Sequence, residues 1–208
     1  FDYDEQAVLC VPRYLPEPNA YEMSDALFVT SLALIKAAKG RCFLLFTSHR
    51  MLRIMAEKLM DTIDYPMLVQ GTTSKRLLLD QFAELGNAVL LGTASFWEGV
   101  DVRGDALSCV LIDKLPFASP DDPLLQARME DCRQKGGDPF AEVQIPQAVI
   151  SLKQGVGRLI RDRTDKGVLV ICDNRLITRL YGKTFIKSLP PMKRTRDLTR
   201  ACEFLTGL

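Results

Sequence analysis

The chain has 208 residues, which is enough for one sizeable hydrophobic core and short for two full domains. Apolar residues make up 47% and charged residues 25%, a mixture that argues against disordered and fibrous folds. Apolar runs such as residues 168–172 are far shorter than the roughly 20 residues that a membrane helix requires. The chain starts at Phe1 with no basic-then-apolar leader, so we expect no signal peptide and a piece of a longer protein.

Charge is distributed unevenly along the chain, although the net charge is only +1. Residues 1–150 contain 14 Lys and Arg against 21 Asp and Glu, a net charge of −7, whereas residues 151–208 contain 13 against 5, a net charge of +8. The basic C-terminal quarter indicates a surface for phosphate groups or for an acidic partner. A solvated basic surface without a ligand is the alternative.

The six cysteines stand apart in the sequence. No two of them have the spacing of a zinc knuckle or of a CxxC redox pair, and the single histidine, His49, cannot form a His-based metal site by itself. Most of the cysteines lie among apolar neighbours. This pattern favours buried reduced thiols in a cytoplasmic protein, with no metal site in this chain.

Short apolar runs alternate with helical periodicities along the chain. In chain order we expect an apolar stretch at 8–12, a helix at 23–39, a strand at Cys42–Phe46, a helix at 51–60, a strand at Met67–Val69, a helix at Lys75–Leu85, strands at 88–91 and 107–112, helices at 124–133 and 147–161, and a strand at 168–172. Strands without polar alternation, separated by helices, predict one α/β domain whose mostly parallel sheet is covered by helices on both faces.

Small and polar residues follow the predicted strands. Thr47 and Ser48 follow one strand, and comparable residues follow the others, among them Gln70, Asp113 and Asp173. Ligands of open parallel sheets bind beyond the carboxyl ends of the strands, so these positions predict a polar ligand edge. Ordinary turn chemistry is the alternative at any single position.

The segment from Gly92 to Asp101 combines glycines, hydroxyls and carboxylates directly after a strand. Backbone amides and hydroxyls near Gly92 and Thr93 could bind phosphate, while Glu98 and Asp101 could orient a cation, a ribose or an arginine. A tight loop without a ligand can have the same composition.

A second segment runs from Gln154 to Arg161 at the end of the predicted helix 147–161. Arg158 and Arg161 are three positions apart, so we expect both guanidinium groups on one helical face. Two arginines directed at one point repel each other unless an anion lies between them, which predicts a phosphate site. A structural salt bridge to Asp162 or Asp101 is the alternative.

These segments resemble motifs V and VI in the second RecA-like motor lobe of superfamily 2 helicases. Glu98-Gly99-Val100-Asp101 matches the acidic core of motif V, and residues 154–161 match the motif VI pattern Q-x-x-G-R-x-x-R. Residues 44–50 as motif IV, together with Leu115-Pro116-Phe117, resemble the XPD/DinG group of iron–sulfur DNA helicases. The resemblance covers essentially the whole chain and implies a RecA-like three-layer fold over residues 1–208.

The resemblance also implies a role for individual residues. Arg161 is expected to be an arginine finger that reaches ATP on the first lobe, with Arg158 beside it. The other residues it implies fall into two sets: Gln154, Asp101, Glu98 and Gly99 at the nucleotide, and Thr47, Ser48, Gly92 and Thr93 at the backbone of single-stranded DNA. Members of this group use ATP and Mg²⁺ to move 5′ to 3′ and to unwind duplex DNA.

The sequence lacks three features that belong to the first lobe of that family. It contains no G-x-x-x-x-G-K-[ST] phosphate loop, no Asp-Glu-x-His box and no four clustered cysteines. We therefore expect ATP and Mg²⁺ to bind at the interface with a first lobe, and a 4Fe-4S cluster to lie in that lobe. The isolated lobe is expected to hydrolyse no ATP. A nucleotide-binding regulator without translocation is a further alternative.

Residues 190–208 are predicted to form a basic C-terminal tail helix. Leu205 continues an apolar stripe at helical spacing, and Arg194, Arg196 and Arg200 supply the charge. One interpretation is a terminal helix packed on the sheet. The other is a helix that docks a partner, for which resemblance to bacterial replication-repair helicases makes the polymerase III accessory subunit chi a candidate.

Overall fold

Strands form where the sequence has continuous apolar runs, because strands that are buried on both faces need no polar alternation. The computed structural model describes residues 1–93, 96, 100–102, 104–157 and 159–208. Within these ranges the strands are β1 (Ala7–Cys10), β2 (Cys42–Phe46), β3 (Met67–Val69), β4 (Val89–Thr93), β5 (Cys109–Ile112), β6 (Gly167–Ile171) and β7 (Lys193–Thr195). They form a parallel sheet with the order β3-β4-β2-β5-β6-β1-β7.

Helices connect the strands, and several begin at a side chain that accepts a backbone N–H. The helices are α1 (Tyr3–Gln6), α2 (Met23–Ala38), α3 (His49–Met60), α4 (Lys75–Leu85), α5 (Pro123–Gln134), α6 (Ile145–Val156), α7 (Arg175–Thr178), α8 (Gly182–Ser188) and α9 (Leu198–Thr206). Ser48, Ser74, Asp122 and Asp197 cap α3, α4, α5 and α9 in this way. Across the described ranges, none of these helices has the length and apolar character needed to cross a membrane.

Two apolar clusters fill the space on opposite faces of the sheet. On one face Phe82 of α4 and Leu152 of α6 pack against strand side chains such as Phe43. On the other face α2, α3 and α9 cover strand side chains such as Leu44. Helices therefore cover both faces of a parallel sheet, which confirms the predicted three-layer α/β architecture.

The helix predicted over residues 147–161 is shorter than expected. In the structure α6 ends at Val156, and Gly157 occupies the C-cap position. Glycine is a poor helix former, and Leu159 instead turns inward, with 3% of its surface exposed. Arg161 therefore lies beyond the helix rather than on its face, and Arg158, expected to share that face, lies outside the described residues.

The tail predicted as one helix over residues 190–208 divides into two elements. Lys193–Thr195 form β7, which pairs in parallel with β1, and α9 begins only at Leu198. Backbone pairing with β1 satisfies hydrogen bonds that a helix would otherwise supply, which explains why residues with little apolar character form a strand. Ala201 and Leu205 are fully buried against the sheet and α2, so the helix is part of the lobe core.

Candidate functional site

The carboxyl ends of β2 and β5 are joined by the carboxylate of Asp113. The backbone N–H of Thr47 donates to Asp113 Oδ1 at 3.0 Å, and the Thr47 hydroxyl lies 3.4 Å from Oδ2. The N–H of Lys114 donates to the same Oδ1 at 2.9 Å. One buried side chain thus fixes the start of two connections, and Thr47 and Ser48 remain half-buried at that edge.

Burial dominates the electrostatics of Asp113. Only 1% of its surface is exposed, and desolvation raises its pKa from 3.8 to about 7. The Lys114 charge and the hydrogen bonds from Thr47 and Lys114 act in the opposite direction because they stabilise the ionised form. Asp113 therefore titrates close to neutral pH.

A second buried carboxylate joins the carboxyl ends of β5 and β6. Asp173 is completely buried, and its Oδ2 accepts the backbone N–H of Leu115 at 2.9 Å. The guanidinium of Arg175 donates to both carboxylate oxygens, with Nη2 2.7 Å from Oδ2. The same guanidinium lies 5.5 Å from the ring centre of Phe117, a cation–π contact.

Gln70 joins the ends of β3 and β4. Its Oε1 accepts both the backbone N–H of Thr93 at 2.7 Å and the Thr93 hydroxyl at 3.1 Å. Thr93 exposes 5% of its surface, so in this conformation its side chain faces the lobe interior rather than solvent. A Cβ at Gly92 would lie 3.1 Å from Phe96 and 3.3 Å from Gln70 Oε1, so a larger residue here would require these side chains to shift by a few tenths of an ångström.

The predicted acidic and basic segments meet at an ion pair between Asp101 and Arg161. The Arg161 guanidinium donates to Asp101 Oδ1. The Arg161 side chain is 25% exposed and the Asp101 side chain is 59% exposed, so the pair lies at the surface. Val100 and Val102 are buried on either side of Asp101 and hold it in place. The alternative of a salt bridge to Asp101 therefore describes the arrangement in this structure, and the pair remains accessible to a ligand.

The connection after Arg161 is organised by Asp165 and Gln6. Asp165 Oδ2 accepts the backbone N–H groups of Arg161 and Asp162 at 2.9 and 2.8 Å. Gln6 Nε2 donates to the carbonyl oxygens of Asp162 and Asp165, both at 2.9 Å. Neither residue belongs to a motif in the sequence, and the one available signal was a glutamine placed directly before an apolar strand.

Of the other residues predicted to lie at the nucleotide, the structure describes only some. Gln154 is exposed near the end of α6. Arg158, Glu98 and Gly99 lie outside the described residues, so their predicted roles at the nucleotide stay predictions.

Three of the four predicted partner-binding residues are accessible. Arg194 and Arg200 are exposed, and half-buried Arg196 donates its Nε–H to the carbonyl of Val11 at 3.2 Å. Leu205 is only 1% exposed because α9 packs it into the core. Its assignment to a partner surface was therefore wrong.

Most of the cysteines lie where burial suppresses their reactivity, whereas Cys132 and Cys202 are partly exposed. Four of them, Cys10, Cys42, Cys109 and Cys172, are buried, and desolvation raises the pKa of Cys10 to about 12. In the part of the chain that the structure describes, no three His, Cys, Asp or Glu side chains come together as a possible metal site.

Comparison with known proteins places this geometry in a family. A family model described as the helicase C-terminal domain matches residues 31–192. The ATP-dependent DNA helicase YoaA of Escherichia coli (strain K12) is 63% identical over 205 residues, 99% of this chain and 32% of that protein. The ATP-dependent helicase DinG of Mycobacterium tuberculosis (strain ATCC 25618 / H37Rv) is 40% identical over 201 residues, 96% of this chain and 30% of that protein.

Solved structures agree on the fold. An XPD helicase superimposes with a TM-score of 0.66 at 23% identity, over 91% of this chain and 35% of that chain. The chain spans about a third of the length of the curated relatives it matches. It belongs to the helicase C-terminal domain family, as a second RecA-like lobe of the XPD/DinG type.

Proposed function

We propose that this chain is the second motor lobe of an ATP-dependent DNA helicase that moves 5′ to 3′ in replication and repair. The observation that carries the proposal is the accessible ion pair of Arg161 and Asp101, formed by the two segments that match motifs V and VI. ATP and Mg²⁺ bind between this lobe and a first lobe, and the 4Fe-4S cluster lies in that first lobe.

Arg161 is the arginine finger of this proposal. Its guanidinium is one-quarter exposed and its partner is an exposed carboxylate, so exchanging Asp101 for a γ-phosphate requires little rearrangement. A guanidinium that contacts the transferring phosphoryl group stabilises the charge of the transition state. Arg158, Gln154, Glu98 and Gly99 act with it at the nucleotide in this proposal, as the resemblance to motifs V and VI implies. Hydrolysis removes the charge that the arginines pair with, so the closed arrangement of the lobes loses stabilisation.

The DNA strand contacts the carboxyl edge of the sheet. Thr47 and Ser48 lie half-buried with their hydroxyls at this edge, and Asp113 fixes the backbone of Thr47 by accepting its N–H. Gly92 and Thr93 form the adjoining part, where Gln70 holds the backbone in position. Contacts to phosphates carry no base information, so binding is expected to be tolerant of sequence and weakened by salt.

The decisive experiment is Arg161→Ala in the full-length protein. DNA-stimulated ATP turnover should fall by about 10³-fold or more, the contribution typical of an arginine finger, while single-strand affinity changes by less than about threefold. Arg163→Ala, at an exposed arginine two positions further along, is the matched control and should leave both quantities unchanged. Equal losses of turnover and affinity in Arg161→Ala would contradict the assignment.

A second experiment tests whether ATP hydrolysis requires the first lobe. Purified residues 1–208 should hydrolyse no ATP, with or without single-stranded DNA, because the sequence has no phosphate loop. DNA-stimulated ATP turnover by this chain alone would refute the proposal that it is one of two motor lobes, and with it the arginine-finger role of Arg161.

The second candidate function is docking of an acidic replisome protein, with the polymerase III subunit chi as the named candidate. A groove of about 860 Å³ lies beside β7, and its lining includes four arginines: Arg13, Arg194, Arg196 and Arg200. In the described sheet β7 is an edge strand, so its outer backbone groups can pair with an added strand.

Charge reversal tests this docking surface better than truncation. Deleting residues 192–208 would remove Ala201 and Leu205 from the core and so confound loss of binding with loss of folding. Arg194→Glu with Arg200→Glu should weaken binding of chi to the full-length protein by at least roughly tenfold, since rim charges mainly affect association. Arg53→Glu, at an exposed arginine of α3, is the control.

A further inference from the structure

Gln6 is a buried polar side chain whose hydrogen bonds join the N-cap of α1 to the connection between α6 and β6. It ends α1 directly before β1, and 4% of its surface is exposed. Its Oε1 accepts the backbone N–H of Asp2 at 2.9 Å. Its Nε2 donates both hydrogens to the connection between α6 and β6, at the carbonyls of Asp162 and Asp165. The arrangement satisfies both hydrogens of the amide.

The two carbonyls belong to the turn that carries Arg161. The carboxylate of Asp165 accepts the N–H groups of Arg161 and Asp162, and the N–H of Asp165 lies 3.3 Å from the carbonyl of Asp162. Asp162, Arg163 and Thr164 are otherwise exposed. The backbone position of Arg161 is therefore linked to the amino end of β1 through Asp165 and Gln6.

We propose that Gln6 is a positioning residue for Arg161, an inference that rests on the arginine-finger role proposed above. A guanidinium that must meet a phosphoryl group in a transition state tolerates little displacement, and a shift of about 1 Å can lower a rate by about 10²-fold. Gln6 acts by holding the Asp162–Asp165 turn against β1. It contacts neither nucleotide nor DNA.

The test uses Gln6→Met in the full-length protein, which keeps the length of the side chain and removes its donors. DNA-stimulated kcat should fall by about 10- to 100-fold, while the KM for ATP and the Kd for single-stranded DNA each change by less than about threefold. Gln126→Met is the matched control, because Gln126 also donates to a loop carbonyl, that of Pro120 at 2.8 Å, at an exposed position. Unchanged kcat in Gln6→Met would overturn the proposal.

A double variant separates positioning from general stability. In the Arg161→Ala background Gln6→Met should lower the residual kcat by less than about twofold, since the group that it positions is gone. A further loss as large as in the wild-type background would show that Gln6 acts independently of Arg161. If Arg161→Ala alone leaves kcat unchanged, the proposed function fails. If Arg161→Ala abolishes turnover and Gln6→Met does not affect it, only the present inference fails.

Amide hydrogen exchange gives a readout that does not depend on turnover. Peptides covering residues 159–166 should exchange faster in Gln6→Met, while those covering β5 and β2 keep their wild-type protection. Equal rates over 159–166 would overturn the proposal. If Gln6→Met does not fold, Gln6→Asn is used instead, since it shortens the side chain by one methylene and keeps the amide. It should increase exchange over the same peptides by a smaller factor.

Discussion

The carboxyl edge of the sheet and the Arg161 region both depend on carboxylates, but these carboxylates differ in exposure and in the groups that they bind. At the edge the carboxylates of Asp113 and Asp173 are 1% and 0% exposed, and they bind backbone amides of neighbouring connections. In the Arg161 region the carboxylate of Asp101 is 59% exposed and binds a side chain. A buried carboxylate fixes backbone, whereas an exposed one can be exchanged for a ligand.

Within the proposed motor lobe, this difference in burial corresponds to two roles, DNA binding at the carboxyl edge and catalysis at Arg161. A surface that binds a DNA backbone benefits from a protein backbone that is fixed before the strand arrives. A side chain that must pair with a phosphate in one state and release it in another needs a replaceable partner. Variants at the buried carboxylates Asp113 and Asp173 should therefore change the free energy of unfolding strongly, and variants at the exposed pair should change it little.

The largest expected effect is at Asp173. Asp173→Ala leaves the half-buried Arg175 without its carboxylate and the N–H of Leu115 without an acceptor, which should lower the free energy of unfolding by about 2–4 kcal/mol. Urea unfolding of the chain measures this loss. Asp131→Ala, at an exposed pair with Lys135, should change it by less than about 0.5 kcal/mol. Similar losses in both variants would erase the distinction between the two kinds of carboxylate.

The pH dependence of stability should report Asp113. Its pKa is about 7 in the folded protein against an ordinary value of 3.8, so between these values the folded state holds a proton that the unfolded chain releases. This contribution to stability is complete below about pH 4 and is lost as the pH rises to about 7. Asp113→Asn should therefore reduce the fall in unfolding free energy over that window.

Unfolding free energies of wild type and Asp113→Asn at intervals between pH 4 and 8 check the sign. Asp105→Asn, at an exposed carboxylate, controls for the loss of one acidic group. Parallel curves for wild type and Asp113→Asn would mean that Asp113 titrates normally in the folded protein.

The sheet could be predicted from sequence because its signals are local. The predicted bounds of Cys42–Phe46, Met67–Val69 and Lys75–Leu85 coincide with β2, β3 and α4. Each is an apolar run or an amphipathic stripe that buries itself against the layer next to it. The polar residues after the strands were also found, since their position follows from the direction of a parallel sheet.

The errors arose where distant residues decide the local conformation. The helix over 147–161 stops at Val156, where Gly157 is the C-cap, and Gln6, from the first turn of the chain, and Asp165 hold the backbone of residues 161–165 in a different conformation. Residues 193–195 carry no strand pattern and form β7 only because β1 provides hydrogen-bonding partners. Helical spacing placed Leu205 on the apolar stripe of a helix, but the spacing could not show that this stripe packs against α2.

A smaller effect is expected at Thr47, where backbone and side chain can be separated. Thr47→Val keeps the N–H that donates to Asp113 and removes the hydroxyl, so the free energy of unfolding should change by less than about 1 kcal/mol. Loss of one hydroxyl contact to phosphate should weaken single-strand binding by the full-length protein by roughly three- to tenfold. Fluorescence anisotropy at fixed salt measures it, with Thr62→Val, at an exposed threonine, as control. Unchanged affinity would remove the Thr47 hydroxyl from the DNA interface.

The smallest effect on stability should come from Asp101. Asp101→Asn breaks an ion pair whose members are both partly exposed, and such pairs contribute less than about 1 kcal/mol to the free energy of unfolding. The difference from wild type should shrink further at high salt, which screens exposed charges. DNA-stimulated turnover of the full-length protein should nevertheless fall several-fold, because Arg161 loses the carboxylate that orients it. A large loss of stability with normal turnover would reverse the comparison: Asp101 would then belong to the scaffold, and Arg161 would be positioned without it.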